Sequence, residues 1–418
     1  MALRSERRVA VTGVGLVTAL GVGREESWRA AIAGTPGTRE ITRFDPSAHS
    51  CRIACEVPDF RPEDFVDRKG VRRMDRVSQL AVAAARIAVE DAGLPDSARG
   101  DRAGAVIASG NGGNETYEQG WRTLTERGPE RVLPTMLPAC IVNMAAGMVS
   151  VGLGLGGPLS THVTACASGT HAVGEALEIM RRHEADVMVV GGSEAGITPF
   201  TMASLDATRA LSRNNADPAG ASRPFDLDRD GFVAAEGAGV LVLEDLDAAL
   251  ERGARPLCEL VGYGASADAY HLTDPDPSGR GQVAALRAAL ADAGLGTDEL
   301  DYVNAHGTST PAGDPVEITA LRLALGDDAA ARVALSSTKS MHGHAMGAAG
   351  GIEAALTALT IAEGTIPPTI NLDRLDPACG GVDHVALTAR EGEVRTALSS
   401  SFGFGGHNAV VAMRAVSA

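Results

Sequence analysis

Aromatic residues and cysteines are both scarce in this sequence of 418 residues. Aromatic side chains make up 3% of the chain, and the cysteines number six. Because these six thiols are scattered along a long chain, they exclude a disulfide framework. Only Cys51 and Cys55 lie close together, and no second pair completes a zinc site, so we expect no bound metal. Residues 1–8 lack the apolar core of a signal peptide, which together with the scattered cysteines favours a cytoplasmic location.

Positive charge is also in short supply. The chain has 37 lysines and arginines against 53 aspartates and glutamates, which leaves a net charge of -16. Such an acidic chain is a poor candidate for binding nucleic acid through its overall field. Residues 132–174 carry no charged side chain, but their prolines, histidines and glycines leave no continuous apolar run of about 20 residues. We therefore expect this segment to form the buried centre of a globular protein rather than a membrane span.

Glycine and short apolar segments, by contrast, are abundant. The 50 glycines follow no collagen repeat and suggest tight turns and a core of small aliphatic side chains. Strand-like segments such as Ala103–Ala108, Asp186–Val190 and Gly237–Leu243 alternate with segments of helical periodicity such as Ser78–Ala92. Because strands that are apolar throughout are buried on both faces, this order predicts an α/β fold with helices packed on buried sheets.

Two regions of the sequence echo one another at long range. Predicted helices end in the letters DAGL at Leu94 and again at Leu295, and a further strand follows each of them. The segment Val11–Gly15 likewise resembles Leu260–Gly264. DAGL alone is a common helix end, but the same features recur in the same order, which indicates a duplicated α/β half. We place the N-terminal half at residues 1–255 and the C-terminal half at residues 256–418.

Four polar segments lie at the ends of predicted strands, and the first contains a cysteine. Cys166 precedes a predicted helix over residues 169–180, whose dipole would lower the pKa of the thiol and make it a nucleophile. A buried structural cysteine explains this segment equally well. The other segments contain His306, Lys339 with His344, and the glycine-rich residues 399–408. Because sites in doubly wound sheets are built at strand ends, we expect these groups to meet.

Together the four segments match one known family. In chain order they read TACASG, NAHGTSTPAGD, STKSMHGHAMGAAG and SFGFGGHN, and Ser222–Asp245 is a further family-like stretch. With them the sequence resembles the β-ketoacyl-acyl-carrier-protein synthases of the thiolase superfamily, from Val9 nearly to its end. The closest type is the elongating synthase II, and the ketosynthase subunit of type II polyketide synthases is the alternative. The resemblance implies a thiolase-like, five-layer αβαβα fold built from two similar halves.

The resemblance also implies a decarboxylative condensation. Cys166 would take the acyl chain from acyl carrier protein, and His306 and His344 would stabilise the enolate left when malonyl carrier protein loses carbon dioxide. The enolate would attack the acyl chain and lengthen it by two carbons. Backbone amides of Cys166 and Phe404 would form the oxyanion hole. We expect no prosthetic group, because both substrates are carried on the phosphopantetheine arm of the carrier protein.

Further residues would support this chemistry. Lys339 would be the active-site lysine and would pair with Glu317, because a buried lysine without a partner is costly, although a surface lysine is the alternative. Two threonines would hold the pantetheine arm, and a phenylalanine between glycines would swing as a gate against a facing loop. These tunnel and gate residues are Thr308, Thr310, Gly403, Phe404, Gly405, Asp268 and Thr273.

Further candidate residues concern the choice of acyl substrate and the docking of the carrier protein. Residues from Asn114 to Tyr117 lie where the family often has apolar side chains bordering the acyl pocket, and a polar lining there disfavours a long saturated tail. A carrier protein is itself acidic, so docking on this acidic chain requires a local basic patch. The docking candidates are Lys69, Arg72, Arg73 and Arg209. A merely solvated face over residues 68–76 is the alternative.

Several functions fit this resemblance. The first is a fatty-acid condensing enzyme that works as a homodimer, and the second is a polyketide ketosynthase that forms a heterodimer with a chain-length-factor subunit. An inactive partner or scaffold subunit is a third hypothesis, which the presence of Cys166, His306 and His344 argues against. A degradative thiolase would need a second cysteine near the C-terminus, and residues 399–408 contain none.

Overall fold

Strands and helices alternate along the chain, as predicted. The computed structural model describes residues 7–416. The strands are β1 (Val9–Thr18), β2 (Gly21–Val22), β3 (Arg39–Glu40), β4 (Ile53–Ala54), β5 (Ala103–Ala108), β6 (Leu159–Ser160), β7 (Val187–Glu194), β8 (Gly237–Asp245), β9 (Cys258–Ala267), β10 (Tyr302–Asn304), β11 (Ala334–Ser336), β12 (Thr365–Ile366), β13 (Asp383–His384), β14 (Arg390–Glu391), β15 (Thr396–Gly403) and β16 (His407–Arg414).

The helices range from single turns to four turns in length. They are α1 (Arg24–Ile32), α2 (Arg68–Val71), α3 (Arg76–Asp91), α4 (Asn114–Arg127), α5 (Met136–Cys140), α6 (Met144–Leu153), α7 (Ser168–Arg181), α8 (Pro199–Ala207), α9 (Leu246–Glu251), α10 (Arg280–Ala293), α11 (Gly313–Leu325), α12 (Asp327–Ala330), α13 (Lys339–His342) and α14 (Ala349–Glu363). Within the described residues, none of these helices is both long and apolar enough to cross a membrane.

The main sheet repeats one strand order on the two sides of a junction between β1 and β9. Outward from this junction the order is β1-β8-β7-β5-β6 on one side and β9-β16-β15-β10-β11 on the other. The directions match as well, because the first two neighbouring pairs in each half are antiparallel and the next two are parallel. The prediction of two similar halves is therefore confirmed. We propose that the halves divide near residue 255, between α9 and β9.

Five layers follow from the way the helices pack. α3 and α6 cover the outer face of the N-terminal half, and α10, backed by α11, covers the outer face of the C-terminal half. α7 and α14 lie between the halves, where they contact each other and strands of both. Every residue of α14 from Ala349 to Ile361 is buried, as a helix in a central layer must be. This arrangement is the αβαβα fold that the resemblance implied.

Glycines explain one part of the sequence echo. Gly13 and Gly15 of β1 press against α3, where an added Cβ would lie 2.4 and 1.9 Å from helix carbonyl oxygens. Gly262 and Gly264 of β9 press against α10, where the same distances would be 2.5 and 2.1 Å. A side chain at any of the four positions would push helix and strand apart. The repeated glycines therefore mark the closest helix–sheet contact of each half.

The aspartate of each DAGL sequence also has matching contacts. Asp91, at the end of α3, accepts a hydrogen bond of 2.9 Å from the backbone N–H of Val14 in β1. Asp292, near the end of α10, accepts one of 3.0 Å from the N–H of Tyr263 in β9. Each carboxylate thus fixes its helix to the strand beneath it.

The uncharged segment 132–174 is only partly the buried centre that we expected. Its C-terminal end enters α7 and is buried, but its middle crosses the molecular surface. Val151, Leu159 and Val163 are 82%, 49% and 52% exposed, respectively. The absence of charge therefore marks two environments, a buried one around α7 and an exposed apolar one around α6 and β6.

Candidate active site

Cys166 lies in a single 3₁₀ turn, Ala165–Ala167, immediately before α7. Ala165 has a φ of 50°, and this left-handed residue turns the chain sharply so that Cys166 lies at the bend. Ser168 closes the turn, because its hydroxyl donates to the carbonyl of Ala165 and accepts from the N–H of Thr164. The helix after Cys166 was predicted correctly. The strand before it was not, since β6 ends at Ser160 and an irregular segment joins it to the turn.

The thiol of Cys166 is in its neutral form in this site. It is 4% exposed, and burial raises its pKa to about 11, although the charge of Lys339 and the amides of Phe404 and Cys166 itself pull the value down. The expectation that the helix N-terminus would lower the pKa is wrong for this state of the site, because the cost of desolvating a thiolate is larger. To act as the nucleophile that the sequence predicts, this thiol would have to give its proton to a neighbouring base.

Two histidines lie beside the thiol of Cys166. His306 follows β10, and His344 follows the single turn of α13, so both stand at the ends of strand-linked segments in the C-terminal half. The sulfur of Cys166 and one ring nitrogen of each histidine all lie within 4.8 Å of one another. The two imidazole rings are 5.4 Å apart and nearly perpendicular, at 88°. The structure thus brings together the three groups that the sequence motifs singled out.

Both imidazoles are neutral near physiological pH. Burial lowers the pKa of His306 and of His344 well below the ordinary value of 6.5, and the positive charge of Lys339 lowers both further. Nδ1 of His306 and both ring nitrogens of His344 are buried and make no hydrogen bond within the described residues. A neutral imidazole carries one N–H, so each ring can donate one hydrogen bond to a substrate oxygen.

These protonation states predict no loss of rate as the pH rises through neutrality. We expect the rate of malonyl decarboxylation not to fall between about pH 6 and about pH 8. Because burial lowers both histidine pKa values, the rings are already neutral at the lower end of this range. The buried carboxyl groups of Glu317 and Glu353, whose pKa is about 7, lose protons within it and then accept more strongly from the His306 backbone and from Lys339. The rate is measured as carbon dioxide release from malonyl carrier protein in a series of buffers. A fall centred near the ordinary histidine pKa would show instead that an imidazolium is required.

Lys339 is paired with Glu353, not with Glu317 as the resemblance implied. The side chains of Lys339 and Glu353 are 1% and 0% exposed and form a direct ion pair. Burial raises the pKa of Glu353 to about 7, and the lysine opposes that rise. Glu353 lies on α14 and is surrounded there by apolar residues. An acidic residue in a buried apolar helix needs a partner for its charge, so this position in the sequence could have indicated the ion pair.

Glu317 supports His306 through the backbone instead. Its carboxylate accepts hydrogen bonds of 2.7 Å from the N–H groups of both His306 and Gly307. Burial raises the pKa of Glu317 to about 7, while these amides lower it. The residue that we expected to neutralise the lysine therefore fixes the turn on which His306 stands.

The residues predicted to form the gate are held against the facing loop by hydrogen bonds. The N–H of Gly405 donates to the carbonyl of Leu272, at 2.7 Å. The N–H of Asp268 donates to Gly406, and its carboxylate accepts from the amide of Asn408, at 2.7 Å. Gly405 has a φ of 82°, a conformation that favours glycine. Phe404, between Gly403 and Gly405, is half-buried at this junction.

One cavity of about 260 Å³ connects these groups. The hydroxyls of Thr308 and Thr310 lie 3.3 Å apart in its wall. Its lining also includes the exposed Arg209. The lining residues named so far are Cys166, His306, His344, Thr308, Thr310, Glu317, Asp268, Thr273, Gly403, Phe404 and Arg209. The cavity wall therefore includes a thiol, two imidazoles, several threonine hydroxyls, two acidic side chains and a cationic side chain among these residues.

Other candidates do not line this cavity. Asn114 donates to the hydroxyl of Thr201 at 2.9 Å, and Tyr117 is 62% exposed, so neither borders the space beside Cys166 in this chain. Arg72 and Arg73 line a separate groove between α3 and α4. Lys69 is exposed on the short helix α2. The expected patch of Arg72, Arg73 and Arg209 at one opening is therefore not formed within a single chain.

Comparisons with known proteins agree along the whole chain. The model described as "Beta-ketoacyl synthase, N-terminal domain" matches residues 6–249, and "Beta-ketoacyl synthase, C-terminal domain" matches residues 257–373. The chain is 47% identical to 3-oxoacyl-[acyl-carrier-protein] synthase 2 of Synechocystis over 415 residues, or 99% of both chains. It is 46% identical to the protein of the same name from Staphylococcus aureus over 413 residues, again 99% of both.

Solved structures give the same result for the fold. The ishigamide ketosynthase/chain length factor aligns with a TM-score of 0.92 and 38% identity, covering 98% of this chain and 100% of that one. A type II polyketide ketosynthase in complex with its acyl-carrier protein, bound to the hexaketide, aligns with a TM-score of 0.91 and 34% identity over the same shares.

Proposed function

Because the chain belongs to the β-ketoacyl synthase family, we propose that Cys166, His306 and His344 carry out its decarboxylative condensation. The enzyme is a transferase that joins an acyl chain to malonyl-acyl carrier protein and lengthens the chain by two carbons. The observation that supports these roles is the convergence of one thiol and two neutral imidazoles within 4.8 Å in one cavity. The reaction needs no prosthetic group, because both substrates arrive on phosphopantetheine.

The first half-reaction loads Cys166. As its sulfur attacks the thioester carbonyl, the thiol proton passes to one of the two neutral imidazoles. The carbonyl oxygen, now negative, accepts hydrogen bonds from the amides of Cys166 and Phe404, both of which already face the sulfur. The carbon–sulfur bond to the pantetheine then breaks, and the imidazole returns the proton to the departing thiolate. The products are acyl-Cys166 and free carrier protein.

The second half-reaction extends the chain. N–H groups of His306 and His344 donate to the thioester carbonyl of malonyl carrier protein, which then loses carbon dioxide and leaves an enolate. The enolate carbon attacks the carbonyl of acyl-Cys166, the bond to sulfur breaks, and the thiolate takes up one proton. Lys339 and Glu353 support this step, because their ion pair puts a positive charge behind the histidines and helps to keep them neutral.

We propose that the carrier protein binds at a groove lined by arginines. This groove of about 560 Å³ lies between α3 and α4 and includes Arg72, Arg73, Arg127 and Arg131. Within residues 7–416 these four arginines form no ion pair, so their charge is available to an acidic partner. Lys69 extends the same surface, and Arg209 would contact the carrier where its arm enters the cavity.

Charge reversal in this groove tests the docking proposal. We expect Arg73→Glu combined with Arg127→Glu to raise KM for the carrier-bound substrate by about 10-fold or more, because two favourable contacts become repulsive. The rate with a small acyl thioester that lacks a carrier should not change. Arg255→Glu combined with Arg332→Glu, the same charge change at two exposed sites outside the groove, is the control. Equal effects of the two changes would contradict docking at this surface.

An exposed apolar surface fits a second subunit. We call it the α4–β6 face, and its large apolar side chains are 38–82% exposed. They are Tyr117, Trp121, Leu124, Leu133, Leu137, Ile141, Val151, Leu159, Val163 and Phe200. So many exposed large apolar side chains between residues 117 and 200 are unusual for a monomer and typical of a subunit interface. Asn114 and Tyr117 would then border an acyl chain only where a second subunit closes over α4.

We propose fatty-acid elongation as the pathway, because full-length identity is 46–47% to synthases of that name and 34–38% to polyketide ketosynthases. Polyketide extension as a heterodimer is the second candidate, which the two solved structures favour. The enzyme would work in the cytoplasm, where its six free cysteines stay reduced.

One assay separates the two candidates. Condensation is measured with carrier-bound acyl chains of several lengths and degrees of unsaturation, with and without a chain-length-factor subunit, alongside the mass of the assembly in solution. A homodimer that is active alone on saturated chains supports the first candidate. A requirement for the second subunit supports the other. No condensation under any of these conditions would overturn the proposed function.

A further inference from the structure

Glu194 is a buried carboxylate that the mechanism above does not use. It stands at the end of β7, is 0% exposed, and forms no ion pair within residues 7–416. Its carboxylate accepts hydrogen bonds from the backbone N–H groups of Gly110 (2.7 Å), Asn111 (3.2 Å) and Gly347 (3.0 Å), and from the hydroxyl of Ser109 (3.4 Å). Burying a carboxylate that accepts hydrogen bonds only from neutral donors is costly, which suggests that Glu194 has a specific role.

The internal repeat shows which residue of the C-terminal half corresponds to Cys166. The two central helices, α7 and α14, are equivalent, and each follows a single 3₁₀ turn, Ala165–Ala167 and Met346–Ala348. Ala165 and Met346 begin these turns with left-handed φ values of 50° and 43°. The residue that follows is Cys166 in the first turn and Gly347 in the second. Gly347 is therefore the counterpart of the nucleophile in the other half of the molecule.

The backbone amides of these two residues have different partners. The amide of Cys166 faces the sulfur and is one of the proposed oxyanion donors. The amide of Gly347 donates to Glu194. One half of the duplicated fold thus keeps an amide-lined pocket for a transient oxyanion, and in the other half the carboxyl group of Glu194 fills the equivalent pocket.

The atoms around Gly347 are packed too closely to admit a side chain. An added Cβ would lie 2.2 Å from the amide nitrogen of Gly110 and 2.8 Å from a carboxylate oxygen of Glu194. Met346, the preceding residue, lines the cavity beside Cys166, and His344 lies two residues before Met346. The carboxylate therefore ties the segment that carries His344 to the loop after β5, and so to the opposite half.

We propose that Glu194 is a positioning residue whose carboxylate occupies the second copy of the oxyanion pocket and holds His344 in register with Cys166. Removing the carboxylate would orphan three amide donors and release the 344–348 segment. This inference rests on the proposed function, because it concerns the step that His344 serves.

Chemical rescue tests the proposal. We expect Glu194→Ala to slow malonyl decarboxylation by about 100-fold, the effect of misplacing a catalytic group by about 1 Å, and to slow acylation of Cys166 much less. Sodium formate should recover decarboxylation by about 10-fold or more, because formate can fill the vacated site and restore the acceptor. Formamide, which matches formate in size but carries no charge, and formate with the unchanged enzyme are the controls.

A second variant keeps the test decisive if the alanine variant unfolds. Glu194→Gln preserves the volume but turns an amide donor toward the backbone donors, and we expect it to fold and to lose decarboxylation more than acylation. Equal losses in both half-reactions, or no rescue by formate in a folded alanine variant, would overturn the proposal. Inactivity of the unchanged enzyme would overturn the proposed function instead, so the two failures are distinguishable.

Discussion

Replacing Cys166 with alanine is expected to abolish acyl transfer from carrier protein while leaving the fold intact. The sulfur is the only thiol within reach of His306 and His344 among residues 7–416, so no other group can take over the nucleophilic attack. The substitution removes one buried atom and should cost at most about 1 kcal/mol of unfolding free energy. Intact mass after incubation with acyl carrier protein should show an acyl adduct on the original enzyme and none on the variant.

A second cysteine provides the matched control. Cys140→Ala also removes a buried thiol, but one outside the catalytic cavity, and should leave both the adduct and the melting temperature nearly unchanged. If the Cys166→Ala variant still acquired an acyl adduct, or if peptide mapping placed the adduct on another cysteine, Cys166 could not be the nucleophile.

Replacing His344 with alanine should separate the two half-reactions. We expect carbon dioxide release from malonyl carrier protein to fall by roughly 10²–10⁴-fold, because one of the two donors to the enolate oxygen is lost. Acylation of Cys166 should remain detectable, since His306 is also within 4.8 Å of the sulfur and can accept its proton. Both are measured on one preparation, by carbon dioxide trapping and by intact mass.

The neighbouring His342 gives the control for this change. His342 is buried too, but its Nε2 is hydrogen-bonded to the hydroxyl of Thr338 and its ring is not part of the cluster around Cys166. His342→Ala should therefore lower decarboxylation less than His344→Ala does. Equal losses, or an acylation defect as large as the decarboxylation defect, would show that His344 does not serve the enolate.

Local patterns were enough to predict the repeated α/β architecture. The glycines of β1 and β9 and the aspartates at the ends of α3 and α10 belong to short segments whose contacts are made within one strand–helix unit. The positions of His306, Lys339 and Phe404 were predictable because they follow the parallel strands β10, β11 and β15, whose ends lie at one edge of the sheet. The strand expected before Cys166 is not formed. These features depend on spacing along the chain, which the sequence displays directly.

What could not be predicted depends on the environment that the whole fold creates. The partner of Lys339 is Glu353 on α14 rather than Glu317 on α11, and only the packing of the central layer decides between these two acids. The pKa of Cys166 was expected to fall because a helix end is a local feature, whereas the burial that raises it comes from both halves. The exposure of Tyr117 depends on a surface that a single chain leaves uncovered.

The position of β1 has a consequence for how the protein is made. Val9 pairs with Asp245 on one side and with Leu260 on the other, so the first long strand to be synthesised has its long neighbours 236 and 251 residues further along the chain. At about 5–20 residues per second, a ribosome takes roughly 12–50 s to make these neighbours. Gly169 and Gly351 lock the central helices of the two halves together, at a spacing where an added Cβ would lie 2.6 Å from the facing amide nitrogen. Although the architecture is a duplication, β1 joins the sheets of the two halves and the central helices pack tightly together, so we expect the two halves to fold as one cooperative unit.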